Sequence, residues 1–269
     1  MAHNPEKLLL REWGFRSRKD YEKFIGRQLG DIDIPAQDLK LSFDKAVEHW
    51  AEECLAGQGD RFVARVESPP HSRDGVGGST LLKRPSRIAE KVLKSWLDHG
   101  ERKKASSEKN TPTPSKRHHP QKFLLTVPDI VRFRIVCNYL KDLRFVDKRL
   151  QTFIENDSRL HAESREDHIA VHYPGSRVGH RAVEYTVRFK GMGVQFLFEV
   201  QIMTQLQHAW DKKDHHLIYE YVRAGKGDRI PVHLKNRMTA MSELLYMADI
   251  VFDELLEEIT EIMKEGPHD

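Results

Sequence analysis

Two carboxylates and a set of scattered cations carry the chemistry this sequence offers. Asp129 begins the otherwise apolar, β-branched run 128–138 (PDIVRFRIVCN), and Glu199 lies on the polar side of the run 194–203 (VQFLFEVQIM). Acidic side chains projecting from adjacent strand faces suit magnesium-dependent phosphoryl or pyrophosphoryl transfer. A hard divalent cation takes oxygen ligands and bridges phosphate oxygens, and a carboxylate can accept the proton of an attacking hydroxyl. Lys83, Lys91, Arg134 and Arg181 are the cations able to neutralise a polyphosphate. As a bare pair, however, a strand-edge Asp and a half-exposed Glu are more often structural. Other site classes lack their patterns: there is no G-x-x-x-x-G-K-[ST], no G-x-G-x-x-G and no H-E-x-x-H. His215 and His216 adjoin Asp214, but residues adjacent on a helix do not share a face, so no metal triad is indicated.

These residues need a scaffold, and the hydrophobic periodicity supplies one. Helices are predicted over 19–29 and 41–57, the second with Phe43, Ala46, Val47 and Trp50 on one face. Short strands are expected over 60–67 and 79–83. A helix over 85–98 starts at Pro85, ends near Gly100 and buries Ile88, Ala89, Val92, Leu93 and Trp96. Its opposite stripe, Arg84, Arg87, Lys91 and Lys94, is either an ordinary solvated face or a phosphate-facing one. Residues 101–122 are polar and rich in Lys, Ser, Pro and His, and read as a mobile basic insertion, with RNA contact as the functional alternative.

Further along come a central strand over 128–138, a helix over 141–155 and an irregular strand or loop within 157–173. Strands 181–189 and 194–203 form a hairpin. In the second of them Val194, Phe196, Phe198, Val200 and Ile202 share one face. Thr204 and Gln207 resemble a capping box opening a helix to about residue 221. A long helix over 231–264 carries an apolar stripe that either docks on the sheet or serves self-association, making a homo-oligomer a candidate state. The fold class is α+β: a nucleotidyltransferase-like mixed sheet flanked by helices. Its parts are an N-terminal helical region (1–58), the central domain (59–222) and a C-terminal helical extension (223–269).

Bulk properties narrow the function little. With 44 basic and 41 acidic residues the net charge is only +3, which makes no case for nucleic acid by itself. The two cysteines, Cys54 and Cys137, have no metal-type spacing and form no disulfide framework. No stretch reaches the roughly 18 apolar residues of a membrane helix, and a cytoplasmic location is the default.

The order of four stretches adds a further reading. KRPSRIAEKVLKSW (83–96), PDIVRFRIVC (128–137), GHRAVEYTV (179–187) and FEVQIMTQLQHAWDKKDHHLIY (198–219) resemble the RelA/SpoT synthetase family in its short, stand-alone form. The resemblance covers roughly residues 60–222, and its last stretch is the most specific. It implies transfer of the β,γ-pyrophosphate of ATP to the 3′-hydroxyl of GDP or GTP, giving alarmones. It also implies Asp129 as a Mg²⁺ ligand, and Glu199 as a metal ligand or activator of the acceptor hydroxyl. Lys83 and Lys91 would meet ATP phosphates, and Arg181 would sit by the acceptor. His180 would stand where the family stacks a Tyr on guanine, and Gln201 and His215 would complete the pocket.

Departures accompany the resemblance. Leu81 and Met203 stand at usual Arg positions, Arg87 at a usual Ser, Arg132 at a usual small residue and Lys212 at a usual Glu. Such a pattern fits a changed acceptor (AMP or tRNA) or a binding module without transfer better than an orthodox ppGpp synthetase. The family's hydrolase belongs to a separate His-Asp domain that this sequence does not show.

Overall fold

The structure, a computed structural model, describes residues 4–58, 64–67, 81–105, 120–170, 179–222 and 226–265. Near its start, Asn4 caps a short helix α1 (Pro5–Glu12) by accepting from the amides of Glu6 and Lys7. Helix α2 (Arg18–Gln58) is one continuous element, where the sequence predicts two helices separated around Pro35. The reason is the stripe Tyr21, Ile25, Leu29, Ile32, Ala36, Leu39, Phe43, Val47 and Trp50, which recurs every three or four residues and is buried throughout. An interior proline costs about 3 kcal/mol, whereas each fully buried aliphatic side chain returns roughly 1.5–3 kcal/mol, so the residues on either side of Pro35 outweigh it.

Strand β1 (Ala64–Glu67) follows, and residues 60–63 of the predicted strand lie outside the described residues. The strand expected over 79–83 reduces, in its described part, to one antiparallel bridge between Leu82 and Val131. Helix α3 (Pro85–Ala105) buries Ile88, Ala89, Val92 and Leu93 and passes straight through Gly100. The good helix formers at 101–105 offset the roughly 1 kcal/mol that one glycine costs. Residues 101–105 of the predicted basic insertion are helical, and its residues 106–119 lie outside the described residues.

The sheet has the order β1-β2-β5-β4-β3. Strand β2 (Val131–Cys137) pairs antiparallel with β1 and parallel with β5 (Val194–Thr204). Helix α4 (Leu140–Asn156) follows β2 and leads to β3 (Leu160–Asp167), which settles the ambiguous segment as a strand with a register shift between Ala162 and Ser164. Strand β4 (Val183–Gly191) forms the predicted hairpin with β5. At its tip both Met192 and Gly193 have positive φ, as the mirror-image turns that match strand twist require.

One sheet face is the core. Phe133 of β2 and Phe198 of β5 meet Phe43 of α2 at ring separations of 5.1 and 6.0 Å, and Phe153 of α4 closes on Phe43 at 5.2 Å. The alternate residues of β2, β5 and β4 face the other way and carry the polar side chains.

Helix α5 (Gln205–Asp214) opens as the capping pattern predicts: Thr204 Oγ1 accepts from the amide of Gln207 at 3.2 Å. It gives way to a π-helical turn at His215–Tyr219 instead of running on regularly to residue 221. Helix α6 (Val232–Glu265) packs mainly on α5 and α4, not across the sheet. Trp210 Nε1 donates to the Met238 carbonyl, and Ser242 and Asp249 are buried, but Leu244, Met247, Val251, Phe252, Leu255 and Ile259 are exposed. Among the described residues, no helix is long and apolar enough to cross a membrane.

The seat of α6 is sensitive to pH. Burial raises the Asp249 carboxyl from 3.8 to about 6, although Thr204 Oγ1 donates to it at 2.7 Å. A carboxyl raised in the folded state stabilises the protein most below its unfolded value, and that contribution is lost as pH rises through about 6. Replacing Asp249 with Asn should flatten stability between about pH 4 and pH 7 and raise it at neutral pH by roughly 1–3 kcal/mol. Denaturant midpoints at the two ends of that range are the check; a variant less stable than wild type at neutral pH would contradict it.

Candidate active site on the polar face of the sheet

Asp129 sits just before β2 instead of within it, in a single 3-10 turn, Pro128–Ile130. Pro128 suits the first position because its missing N–H has no helical partner to lose. The turn tucks the Asp129 carboxylate, 7% exposed, beneath two lysines. Lys83 Nζ donates to Oδ2 at 2.6 Å and Lys91 Nζ to Oδ1 at 2.8 Å. Lys83 is fixed by its own amide, which donates to the Ile130 carbonyl, and Lys91 reaches in from the polar side of α3. The basic stripe of α3 therefore divides: Lys91 faces the carboxylate, while Arg87 pairs outward with Glu90 at 3.2 Å and does not join the cluster.

The second carboxylate arrives by strand register. Arg132 is the β-partner of Glu199, and Arg134 of Gln201. One nitrogen of Arg132, Nη2, donates to Asp129 Oδ2 at 3.5 Å and to Glu199 Oε2 at 3.4 Å. Nε lies 2.9 Å from Glu199 Oε1, a charge contact without the alignment of a hydrogen bond. Asp129 and Glu199 thus face a common point, as the sequence predicts, and that point holds a guanidinium. Two carboxylates are the right donors for magnesium by chemical type. As arranged they do not fit it, because Arg132 lies between them and both oxygens of Asp129 already accept from cations.

Burial governs the electrostatics, and the partners decide its outcome. Desolvation would raise the Asp129 carboxyl, but Lys91, Lys83 and Arg132 together hold it far below its ordinary range. Glu199 goes the other way: burial raises it, Arg132 opposes, and the nearby Glu184 and Asp129 reinforce the rise. Burial lowers the Lys83 ammonium, with Asp129 opposing. One carboxyl is therefore held firmly anionic, and the other is pushed above its ordinary value.

A second network continues along the same face. Arg134 Nε donates to Gln201 Oε1 at 3.0 Å and its Nη2 pairs with Asp211 Oδ2 at 2.7 Å. Gln201 Nε2 donates to Glu184 Oε1 at 2.8 Å. His180 is held at both ring nitrogens, Nε2 at 2.9 Å from Glu184 and Nδ1 at 3.2 Å from Asp211. Buried and doubly tied, it anchors the network in this structure, at the position where the resemblance implies a ring stacked on guanine. Gly179, at φ +86, precedes it where a Cβ would stand 2.6 Å from Trp210 Cζ2, so no side chain fits there.

Two further residues depart from expectation. Arg181 turns away from the cluster: Nη1 donates to the Ile169 carbonyl, Nη2 pairs with Glu243 at 2.6 Å, and the guanidinium lies 4.3 Å from the Tyr246 ring centroid. His215 lies on the π-helical turn, 4.9 Å from the Tyr219 ring and paired with Glu220. Among the divergent positions, Leu81 and Met203 are buried, and Lys212 lies 3.6 Å from Glu67. Two functional candidates were not singled out by sequence reasoning. Asp211 lies inside the most specific stretch, AWDKKDHH, and Glu184 alternates with the core residues of β4, but only the folded chain shows that both turn toward His180.

Burial would lower the His180 imidazole, but its hydrogen bonds to the Asp211 and Glu184 carboxylates outweigh it, so its pKa lies above the ordinary value. Its contribution to stability is present below the unfolded pKa and lost as pH rises through the folded one. Asp211→Asn should bring the His180 titration midpoint down, read from imidazole NMR shifts; an unmoved midpoint would show that Asp211 does not set it.

Comparison with known proteins bears on the fold and on the region that holds these residues. Residues 100–224 match the family model described as the region found in RelA/SpoT proteins. GTP pyrophosphokinase YjbM of Bacillus subtilis is 29% identical over 137 residues, covering 51% of this chain and 61% of that protein, so the match spans less than two thirds of the relative's length. Small alarmone synthetase 1 from Bacillus subtilis bound to its product pppGpp shares the fold at TM-score 0.55 and 19% identity, over 87% of this chain and 97% of that one. The same synthetase bound to AMPCPP matches at TM-score 0.52 and 18% identity, over 88% and 97%. The matched residues 100–224 include Asp129 and Glu199, and over them the chain is similar to the region found in RelA/SpoT proteins.

Proposed function

We propose that this protein is a pyrophosphokinase that moves the β,γ-pyrophosphate of ATP onto the 3′-hydroxyl of a guanine nucleotide. The observation that carries the reading is the convergence of Lys83, Lys91 and Arg132 on Asp129, opposite a buried Glu199 with a raised pKa. Three cations aimed at one point can hold a polyphosphate and the charge that builds on it during transfer. A carboxylate raised toward neutrality and set beside them can take the hydroxyl proton, and burial is what raises it. The relatives support the nucleotide classes: one is named a GTP pyrophosphokinase, and the similar synthetase has been solved with pppGpp and with AMPCPP. Magnesium belongs to this reading only where Arg132 gives up its place between the carboxylates.

The test offers purified protein labelled ATP, magnesium and, separately, GDP, GTP, AMP or deacylated tRNA. Transfer to GDP or GTP is expected, with a loss of about 10²-fold or more in Glu199→Ala and Asp129→Ala. Turnover unaffected by either substitution refutes the assignments, and transfer only to AMP or tRNA moves the acceptor class.

One observation favours a second reading, nucleotide binding without transfer: the space between the carboxylates is filled. Calorimetric binding of nucleotide with no product in any acceptor arm selects it. The exposed apolar stripe of α6 supports self-association as the partner reading. Phe252→Glu should then reduce the solution mass measured by light scattering, whereas a wild type that is monomeric at all concentrations removes it.

A further inference from the structure

We propose that Arg132 is a built-in occupant of the divalent-cation position, so that the nucleotide-free protein excludes the metal and a polyphosphate must draw the guanidinium away before an ion can enter. This deepens the reading above, from which it takes only the anionic donor.

Position comes first. Arg132 and Glu199 are register partners on neighbouring parallel strands and point to the same face. Asp129 is three residues earlier, folded back by its turn. The guanidinium is therefore delivered to the gap between the carboxylates by backbone pairing, and a single nitrogen lies within 3.5 Å of an oxygen of each.

Charge comes second. Three cations, Lys83, Lys91 and Arg132, already surround two carboxylates. A divalent ion entering this cluster would meet a local excess of positive charge and find Asp129 already accepting from cations at both oxygens. A triphosphate reverses the balance, since its oxygens can take over the lysines and the arginine and free the carboxylates.

Mobility comes third. A guanidinium cannot yield by losing its proton, so Arg132 can make way only by moving. Its side chain is 23% exposed, and Glu184 and Asp211 on the same face exert a further attraction on it. Phosphate on one side and these carboxylates on the other give the displaced side chain favourable places to go. A small residue at this position would leave the gap open; arginine makes metal entry conditional on substrate.

Binding of Mn²⁺ to the full chain without nucleotide, followed by electron paramagnetic resonance of the free ion, tests this directly. Arg132→Gly and Arg132→Gln should bind Mn²⁺ about tenfold or more tightly than wild type, a difference of about 1.4 kcal/mol. Arg132→Lys, which keeps the charge, should resemble wild type. The gain should vanish when Asp129→Asn is added to the glutamine variant. Melting curves establish that each variant is folded, and the glutamine variant retains a long polar side chain should the glycine variant unfold. Equal Mn²⁺ affinity in wild type and both neutral variants, or no binding in any of them, overturns the proposal. The readout needs no turnover: a gained ion site in a protein that transfers nothing sinks the pyrophosphokinase reading alone, and active protein with no gained site sinks this inference alone.

Discussion

Parallel pairing of β2 with β5 sets Arg132 beside Glu199 and Arg134 beside Gln201, and a slip of β2 by one residue would turn Arg132 and Arg134 into the aromatic core. The register is held from that core side. Phe133 and Phe198 alternate with the polar residues and interlock with Phe43 of α2. Hydrophobic packing on one face thereby fixes charge geometry on the other, and α2 acts on the candidate site without touching it.

Charge on the polar face falls into two connected groups of different character. Around Asp129 the cations exceed the anions, and burial makes each of them depend on its neighbours. Around His180 the carboxylates of Glu184 and Asp211 meet one imidazole, with Arg134 and Gln201 tied into the same network, and Glu184 and Asp211 also act electrostatically on Arg132 of the first group. Charges this well buried are tolerated only when paired, which accounts for the extent of the network. A phosphate arriving at one end would take partners from that end and leave the remaining groups to redistribute.

Much of this was legible in the sequence, and the failures have physical causes. Period-two alternation identified β5 and its two faces, and the apolar stripe of α3 placed Lys91 on its polar side. The helices over 19–29 and 41–57 read as separate because no apolar stripe is followed between them, where Ile32, Ala36 and Leu39 are buried. Gly100 misled for a local reason: the good helix formers after it offset the cost of one glycine. Asp129 and Glu199 were found as residue types at strand positions, but the guanidinium between them was not, because Arg132 read only as a departure from a small residue. Side-chain direction at loop ends was also hidden. His180 and Arg181 are adjacent in sequence yet serve different structures, one the polar network and the other α6.

That divergence has a mechanical consequence. Arg181 is clasped by Glu243 and Tyr246 of α6, while the Ser242 hydroxyl donates to the carbonyl of Gly179. Three consecutive residues, 179 to 181, are therefore strung between the terminal helix and the imidazole of the charged network. Tilting α6 pulls on this short bridge, and His180 sits at its middle. The outermost helix of the chain is coupled to the sheet surface like a lever to a latch, through one glycine that has no room for a side chain.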